Sequence, residues 1–238
     1  MKPSLLSRSV LGLTLGLGGI AAQAADSQAW SSSANLSFTS DYLFRGVSQT
    51  SSTPAVQGGM TVSHESGLYA SVWGSSISFA NMELDPSIGF SRSLGDVTYD
   101  VGVVHYGYPG YSSARQGDLP FTEGYGSLSW KGATVGVAWT DDFFGKTGKA
   151  LYTHVGYGME VAGVSVSATV GQSKFDDLTF NGEDSYVDYG LTLGKTLAGV
   201  DFALSVMGSD MDKDDCTAFS GDTNSCSTRA VVSVSKNL

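Results

Sequence analysis

The sequence predicts an all-β fold, a transmembrane antiparallel up-and-down β-barrel of about 12 strands, within a range of roughly 10 to 14. Apolar and small polar residues alternate in run after run, as in residues 164–171, and only a strand has a two-residue period. Charged residues make up 15% of the chain, whereas soluble domains carry about 25%. Beyond residue 25 no apolar run reaches the roughly 20 residues of a transmembrane helix, so strands are the remaining way to span a bilayer.

The first 24 residues have the features of a secretory signal peptide. Lys2 and Arg8 give a basic start, an apolar middle rich in Leu and Gly follows, and residues 22–24 (Ala-Gln-Ala) form an A-x-A cleavage site. We therefore predict an exported protein with a signal peptide over residues 1–24 and a single outer-membrane barrel domain over residues 25–238.

Alternating runs separated by turn residues define the strands of this barrel in chain order. The predicted strands cover residues 34–47, 55–65, 68–75, 83–94, 97–108, 123–130, 133–140, 151–161, 164–171, 184–197, 200–207 and 228–238. The connections after the second, fourth, sixth, eighth and tenth strands are very short, whereas those after the fifth, seventh, ninth and eleventh are long and polar. Outer-membrane barrels have this asymmetry, with short periplasmic turns and longer extracellular loops. A β-sandwich, the alternative fold, has no reason to sort its loops by length.

Apolar side chains are expected on the outer face of each strand. In the first strand this face carries Leu36, Phe38, Tyr42 and Phe44. Aromatic residues near strand ends fit the interfacial girdles of membrane barrels. These residues are Trp30, Tyr42, Trp73, Tyr106, Tyr125, Trp130 and Trp139.

The connection before the last strand, residues 208–227, is long and acidic. Cys216 and Cys226 lie within it, and two neighbouring cysteines in an exported chain predict one structural disulfide. The acidic run at residues 210–215 lacks the Gly and Glu that an EF-hand loop requires. A solvated loop and an unspecialised contact with a divalent cation are both compatible with this run.

One stretch carries a family resemblance. Residues 40–50 read Ser-Asp-Tyr-Leu-Phe-Arg-Gly-Val-Ser-Gln-Thr, which resembles the opening signature of a proteobacterial family of outer-membrane porins labelled TorF, earlier catalogued as conserved proteins of unknown function. The similarity continues at residues 54–58, 66–69, 73–75, 83–85, 99–102, 105–110 and 121–125. The resemblance implies a secreted β-barrel with a pore, and it supplies neither catalytic residues nor a known substrate.

The stripe opposite the apolar one faces the lumen if the apolar stripe faces lipid. Strand parity then predicts the pore-lining residues Asp41, Arg45, Gln57, Asp85, Asp100, His154, Glu160, Asp188 and Asp201, together with Thr61. Carboxylates outnumber basic groups in this set, so a pore would favour cations mildly. Alternatively, Arg45 pairs with Asp41 or Asp85 and only braces the barrel. The Gly and Ser residues on this stripe favour open space, or else allow strand curvature.

Composition and motifs limit the function classes. Of the 13 basic residues, Lys2 and Arg8 belong to the predicted signal peptide, which leaves 11 against 23 acidic residues, so nucleic acid is not an expected partner. No G-x-S-x-G elbow and no zinc-ligand spacing accompanies the three histidines, so we expect neither an enzyme nor a cofactor.

The sequence favours a passive channel for ions or small solutes. The expected partners are outer-membrane lipid, lipopolysaccharide and the solutes themselves. One alternative is a non-conducting barrel with a structural or surface-interaction role, which a conductance measurement would reveal. Another is a barrel hydrolase, which a serine-reactive reagent would label.

Overall fold

The fold is built almost entirely from antiparallel strands. The computed structural model describes residues 29–111 and 119–238, and the predicted signal peptide, residues 1–24, lies outside them. The strands are β1 (Trp30–Thr39), β2 (Leu43–Phe44), β3 (Val47–Ser48), β4 (Ala55–His64), β5 (Leu68–Ser75), β6 (Glu83–Leu94), β7 (Val97–Tyr106), β8 (Phe121–Trp130), β9 (Ala133–Thr140), β10 (Ala150–Val161), β11 (Val164–Phe175), β12 (Ser185–Leu197), β13 (Val200–Ser209) and β14 (Arg229–Asn237). A short helix, α1 (Lys213–Ser220), precedes β14. The described part contains no helix that is long and apolar enough to cross a membrane.

Within the described residues, twelve of these strands close into one antiparallel barrel. Neighbours along the chain pair with each other, and β1 pairs with both β4 and β14, which closes the ring. Thr39 lies opposite Ala55 on one side and opposite Ser233 on the other. Closure gives every barrel strand a partner on both sides and leaves no free edge. The predicted fold class and the predicted number of about 12 strands are confirmed.

The two rims of the barrel differ in the length of their connections. At one rim, Lys131-Gly132 and Ala162-Gly163 join consecutive strands, and all four residues have positive φ. Pairs of left-handed residues form tight hairpin turns whose twist matches that of the strands. At the other rim the described connections are longer, for example residues 210–228. We call these the short-turn rim and the long-loop rim, and their predicted asymmetry is confirmed.

The first strand is shorter than the sequence predicts. β1 ends at Thr39, and residues 41–50 leave the barrel wall and form a hairpin from β2 and β3 inside the barrel. The hairpin turns at Arg45 and Gly46, which have φ of 47° and 78°. The Asp41 carboxylate accepts hydrogen bonds from two hydroxyls of the same segment, which closes the segment on itself instead of extending the strand. We call residues 41–50 the inner hairpin.

This inward turn changes the environment of two aromatic side chains. The prediction that Tyr42 and Phe44 share the outer face with Leu36 is wrong. The Tyr42 hydroxyl donates to the Glu83 carboxylate on the inner face of the barrel, at 2.8 Å. Phe44 packs edge-on against the Tyr106 ring, with 5.6 Å between the ring centroids.

The outer face of the barrel is a band of exposed apolar side chains. Phe38 is 55% exposed and Ile88 is 63% exposed, although both are large and apolar. Of the predicted girdle residues, Trp30, Trp130 and Trp139 lie on this face. The other predicted girdle residues point inward, so the girdle prediction is wrong for Tyr42, Trp73, Tyr106 and Tyr125. A buried Tyr needs a hydrogen-bond partner for its hydroxyl, and the polar inner face supplies one.

Candidate functional site

The inner hairpin crosses the lumen in the half of the barrel near the long-loop rim. One end is fixed at Asp41, whose carboxylate accepts a 2.7 Å hydrogen bond from Arg229 on β14. The same carboxylate accepts from Ser48 at 2.7 Å and from Thr50 at 2.6 Å. Because Asp41 is 5% exposed, this arginine also balances a buried charge.

The tip of the inner hairpin reaches strands on the far side of the barrel. The Arg45 guanidinium donates from one nitrogen to both carboxylate oxygens of Glu123 on β8, at 2.7 and 2.9 Å. It also lies over the Tyr152 ring of β10, 4.1 Å from the centroid. Burial alone lowers the pKa of Arg45, but its neighbours, chiefly the Glu123 carboxylate, outweigh burial and raise the pKa. Arg45 therefore stays charged, and its contacts hold the hairpin tip against the opposite wall.

Carboxylates line the wall around the inner hairpin. Glu83 and Asp85 follow each other on the inner face of β6 and are 2% and 3% exposed. On β12, Asp188 accepts a 3.2 Å hydrogen bond from the Tyr152 hydroxyl. Neither Asp85 oxygen has a hydrogen-bond partner of normal geometry within the described residues, and one Asp188 oxygen also has none. Buried carboxylates of this kind require a cation, a proton or water as their partner.

Below the inner hairpin, large aromatic side chains lie across glycines of neighbouring strands. A Cβ atom on Gly89 would lie 2.5 Å from the Tyr69 ring, and one on Gly171 would lie 2.5 Å from the Tyr152 ring. The Tyr69 hydroxyl continues across the wall and donates to Asp100 on β7 at 2.8 Å. The glycines therefore make room for a neighbour's ring, and at these positions the predicted open space is occupied.

The structure places the sequence-predicted pore-lining residues on the inner face of the barrel wall, except Asp41 and Arg45, which lie on the inner hairpin. Six lie in the half near the long-loop rim, namely Asp41, Arg45, Gln57, Asp85, His154 and Asp188. Four lie in the half near the short-turn rim, namely Thr61, Asp100, Glu160 and Asp201. The structure brings Arg45 into contact with Tyr152, beside Asp188.

The predicted pairing of Arg45 with Asp41 or Asp85 is wrong. Arg45 pairs with Glu123 and Asp41 pairs with Arg229, and sequence reasoning selected neither partner. Glu83 is also absent from the predicted pore-lining set. Strand parity could have included it, because the periodicity that places Asp85 on the inner face of β6 places Glu83 there too.

The long connection before β14 covers part of the long-loop rim. Its predicted disulfide is confirmed, with 2.03 Å between the sulfurs of Cys216 and Cys226. The connection also contains α1, which begins after the N-cap Asp212. The carboxylate of this residue accepts hydrogen bonds from the backbone amides of Asp215 and Asp214, which lower its pKa. No cluster of His, Cys, Asp and Glu in the described ranges has the arrangement of a metal site.

The barrel, its apolar outer face and its polar lumen define a porin-like β-barrel protein. The chain belongs to the family described as "Bacterial protein of unknown function (Gcw_chp)", whose model matches residues 22–238. The resemblance found in the sequence is thereby confirmed at the level of a bacterial family of unknown function. No curated protein matches the chain.

Several solved structures share the fold. The KdgM porin is 9% identical with a TM-score of 0.53, over 86% of this chain and 98% of that chain. A structure from a study of the in-meso crystallization of membrane proteins is 9% identical with a TM-score of 0.56, over 87% of this chain and 83% of that chain. The NanC porin is 12% identical with a TM-score of 0.49, over 86% and 98%. At such low identity the first two structures support the fold alone.

Proposed function

We propose that the protein is an outer-membrane channel, a porin of the TorF kind, through which ions or small solutes diffuse passively. The inner hairpin forms its constriction. The observation that carries this proposal is the excess of carboxylates around the hairpin. Arg45 and Arg229 are each paired with one acid, whereas Glu83, Asp85 and Asp188 add three carboxyl groups to the same region, and none of them has a salt-bridge partner among the described residues. A lumen with this balance attracts cations and repels anions, so the channel has a mild cation preference.

The protein is exported and resides in the outer membrane. Residues 1–24 are a signal peptide that directs export, and residues 25–238 form the barrel domain. The apolar outer face contacts outer-membrane lipid, and the long-loop rim contacts lipopolysaccharide. The ten pore-lining residues predicted by strand parity border the path of the solute. The name of the KdgM porin agrees with a channel role, which needs no catalytic group.

Single-channel recording tests the channel proposal directly. The refolded mature chain is placed in a planar bilayer with a potassium chloride gradient across it. We expect steady conductance steps and a reversal potential of the sign that cation selectivity gives. Replacing Glu83 by Gln together with Asp85 by Asn should move the reversal potential toward zero. The control Asp96→Asn, at an exposed turn on the short-turn rim, removes a charge far from the hairpin and should change the reversal potential less.

A second function, a non-conducting barrel with a structural or surface-interaction role, is favoured by the way the hairpin is held. Both its base and its tip have buried ion pairs, at Asp41 and Arg45. A folded barrel that never conducts would contradict the channel proposal and support this one.

A further inference from the structure

A cavity of about 470 Å³ lies between the inner hairpin and the long loops. Its walls are mainly aromatic and include Phe79, Tyr106, Tyr108, Phe121 and Phe144. The rings contact one another in series, since Phe144 packs edge-on against both Phe79 and Tyr108 at 5.6 and 5.7 Å between centroids. A volume of this size fits a small organic molecule, and the mutual ring contacts hold the walls in place.

The described part of the cavity wall carries a single carboxylic acid and no basic group. Among the described lining residues, Glu83 is the single Asp, Glu, Lys or Arg. Its carboxylate accepts the Tyr42 hydroxyl bond at 2.8 Å and also meets the Tyr108 hydroxyl and the Asp85 carboxyl. Because a carboxylate has about four lone-pair sites, it can still accept a bond from a ligand. Asp85 lies two residues further along the same inner face. Among the described residues, the arginines Arg45 and Arg229 do not neutralise these acids, because they are paired with Glu123 and Asp41.

We propose that this cavity binds small organic cations that carry an aromatic or aliphatic body. Aromatic ring faces attract cations through their negative quadrupole, and the attraction is stronger where water is excluded. Glu83 supplies the counter-charge, and the apolar walls accept the body of the molecule. Simple inorganic cations gain little from such walls, and anions are repelled by Glu83. The cavity lies on the long-loop side of the hairpin, so the bound cation is a solute at the entrance of the channel, and this last step rests on the proposed function.

Titration calorimetry of the folded mature chain in detergent micelles tests the binding without requiring conduction. Three ligands of similar size separate the contributions: benzyltrimethylammonium (cationic), benzyl alcohol (neutral) and benzenesulfonate (anionic). We expect the cation to bind at least about tenfold more tightly than the other two. Glu83→Gln keeps the side-chain shape and should weaken cation binding about tenfold, whereas the distant Asp96→Asn should leave it unchanged.

A second variant keeps the test valid if Glu83→Gln fails to fold. Phe144→Leu keeps an apolar wall but removes one ring face, so cation binding should weaken about threefold and benzyl alcohol binding should change less. Equal affinity for the three ligands, no binding of the cation, or equal effects of Glu83→Gln and Asp96→Asn would overturn the proposal. Binding by a protein that never conducts would refute the channel function and leave the cation site standing. Conduction without cation binding would overturn the cation site and leave the channel function standing.

Discussion

Arg45 is the residue that fixes the tip of the inner hairpin. Replacing it by Gln leaves Glu123, which is 1% exposed, as a buried charge without its cation. Breaking such a pair costs about 3–5 kcal/mol, so we expect a clear drop in the thermal unfolding temperature, measured by circular dichroism. The control Lys131→Gln removes an exposed pair with Asp96, which contributes about 0–1 kcal/mol.

The same variant separates two roles for Arg45. If the hairpin constricts a channel, Arg45→Gln should also raise the conductance and the cation selectivity, because a positive charge leaves the constriction. Lost stability with unchanged selectivity would limit Arg45 to bracing the barrel. Equal unfolding temperatures for Arg45→Gln and Lys131→Gln would contradict the bracing role.

We also expect the glycines under aromatic rings to be important for stability. Gly89→Ala places a Cβ atom 2.5 Å from the Tyr69 ring and 2.8 Å from the Val101 carbonyl oxygen. Overpacking of this kind costs about 1–3 kcal/mol, so the thermal unfolding temperature should fall. Gly124→Ala is the matched control, because a Cβ atom there meets nothing within 4 Å. If the two variants unfold at the same temperature, the ring-over-glycine contact has no role in stability.

At the scale of elements, the sequence predicts the strands far better than the inner hairpin. Strand alternation is a local pattern, so β6 and β7 could be placed from their own residues. The hairpin depends on partners distant in sequence. Arg45 meets Glu123 across 78 positions, and Asp41 meets Arg229 across 188. Residues 40–47 alternate well enough to continue β1, and the chain turns inward because of these distant contacts together with the Asp41 bonds to Ser48 and Thr50.

The helix α1 is not predicted from the sequence, and the reason differs from that for the inner hairpin. It has eight residues, and only Cys216 and Phe219 pack against the aromatic core, so the segment is too short for helical periodicity to give a signal. Its ends do carry signals, an Asp212 N-cap and Gly221 at the C-terminal end with φ of 77°.

The disulfide leads to a prediction about the element that it stabilises. The Ser48 backbone amide of the inner hairpin donates to the Ser225 carbonyl oxygen, next to Cys226, at 2.8 Å. Replacing Cys216 and Cys226 by Ser removes a crosslink that closes a short loop, a change worth about 2–4 kcal/mol to the folded state. We expect a lower unfolding temperature and more frequent current fluctuations, because the support of the hairpin loosens.

Reducing the Cys216–Cys226 disulfide in the wild-type protein tests the same prediction without a substitution. Wild type treated with a reductant should reproduce the behaviour of the double variant, and the double variant should not respond to the reductant. Identical current records for wild type and double variant would show that the disulfide does not act on the hairpin.

At the scale of the whole molecule, the outer and inner faces of the barrel differ in polarity. The outer face carries exposed apolar side chains that a bilayer would cover. The inner face carries the polar and charged groups, including the ion pairs of the inner hairpin. The segment that carries the most specific family resemblance, residues 40–50, is the one that enters the lumen. Its residues therefore contact the interior of the barrel and not the lipid-facing side.

Removing the inner hairpin tests whether the barrel wall forms without it and whether the hairpin limits the conductance. Because Thr39 and Ala55 are paired neighbours, a turn of about four residues can join β1 to β4 directly. The shortened protein should still form a barrel, since the twelve barrel strands keep their ladder partners. Its conductance should rise several-fold and its reversal potential should stay cation-selective, because Glu83, Asp85 and Asp188 remain. The control keeps the hairpin and replaces the exposed residues 51–54 by Gly and Ser, which should leave the conductance near that of wild type. A shortened, folded barrel with unchanged conductance would mean that the hairpin does not limit the flow of ions.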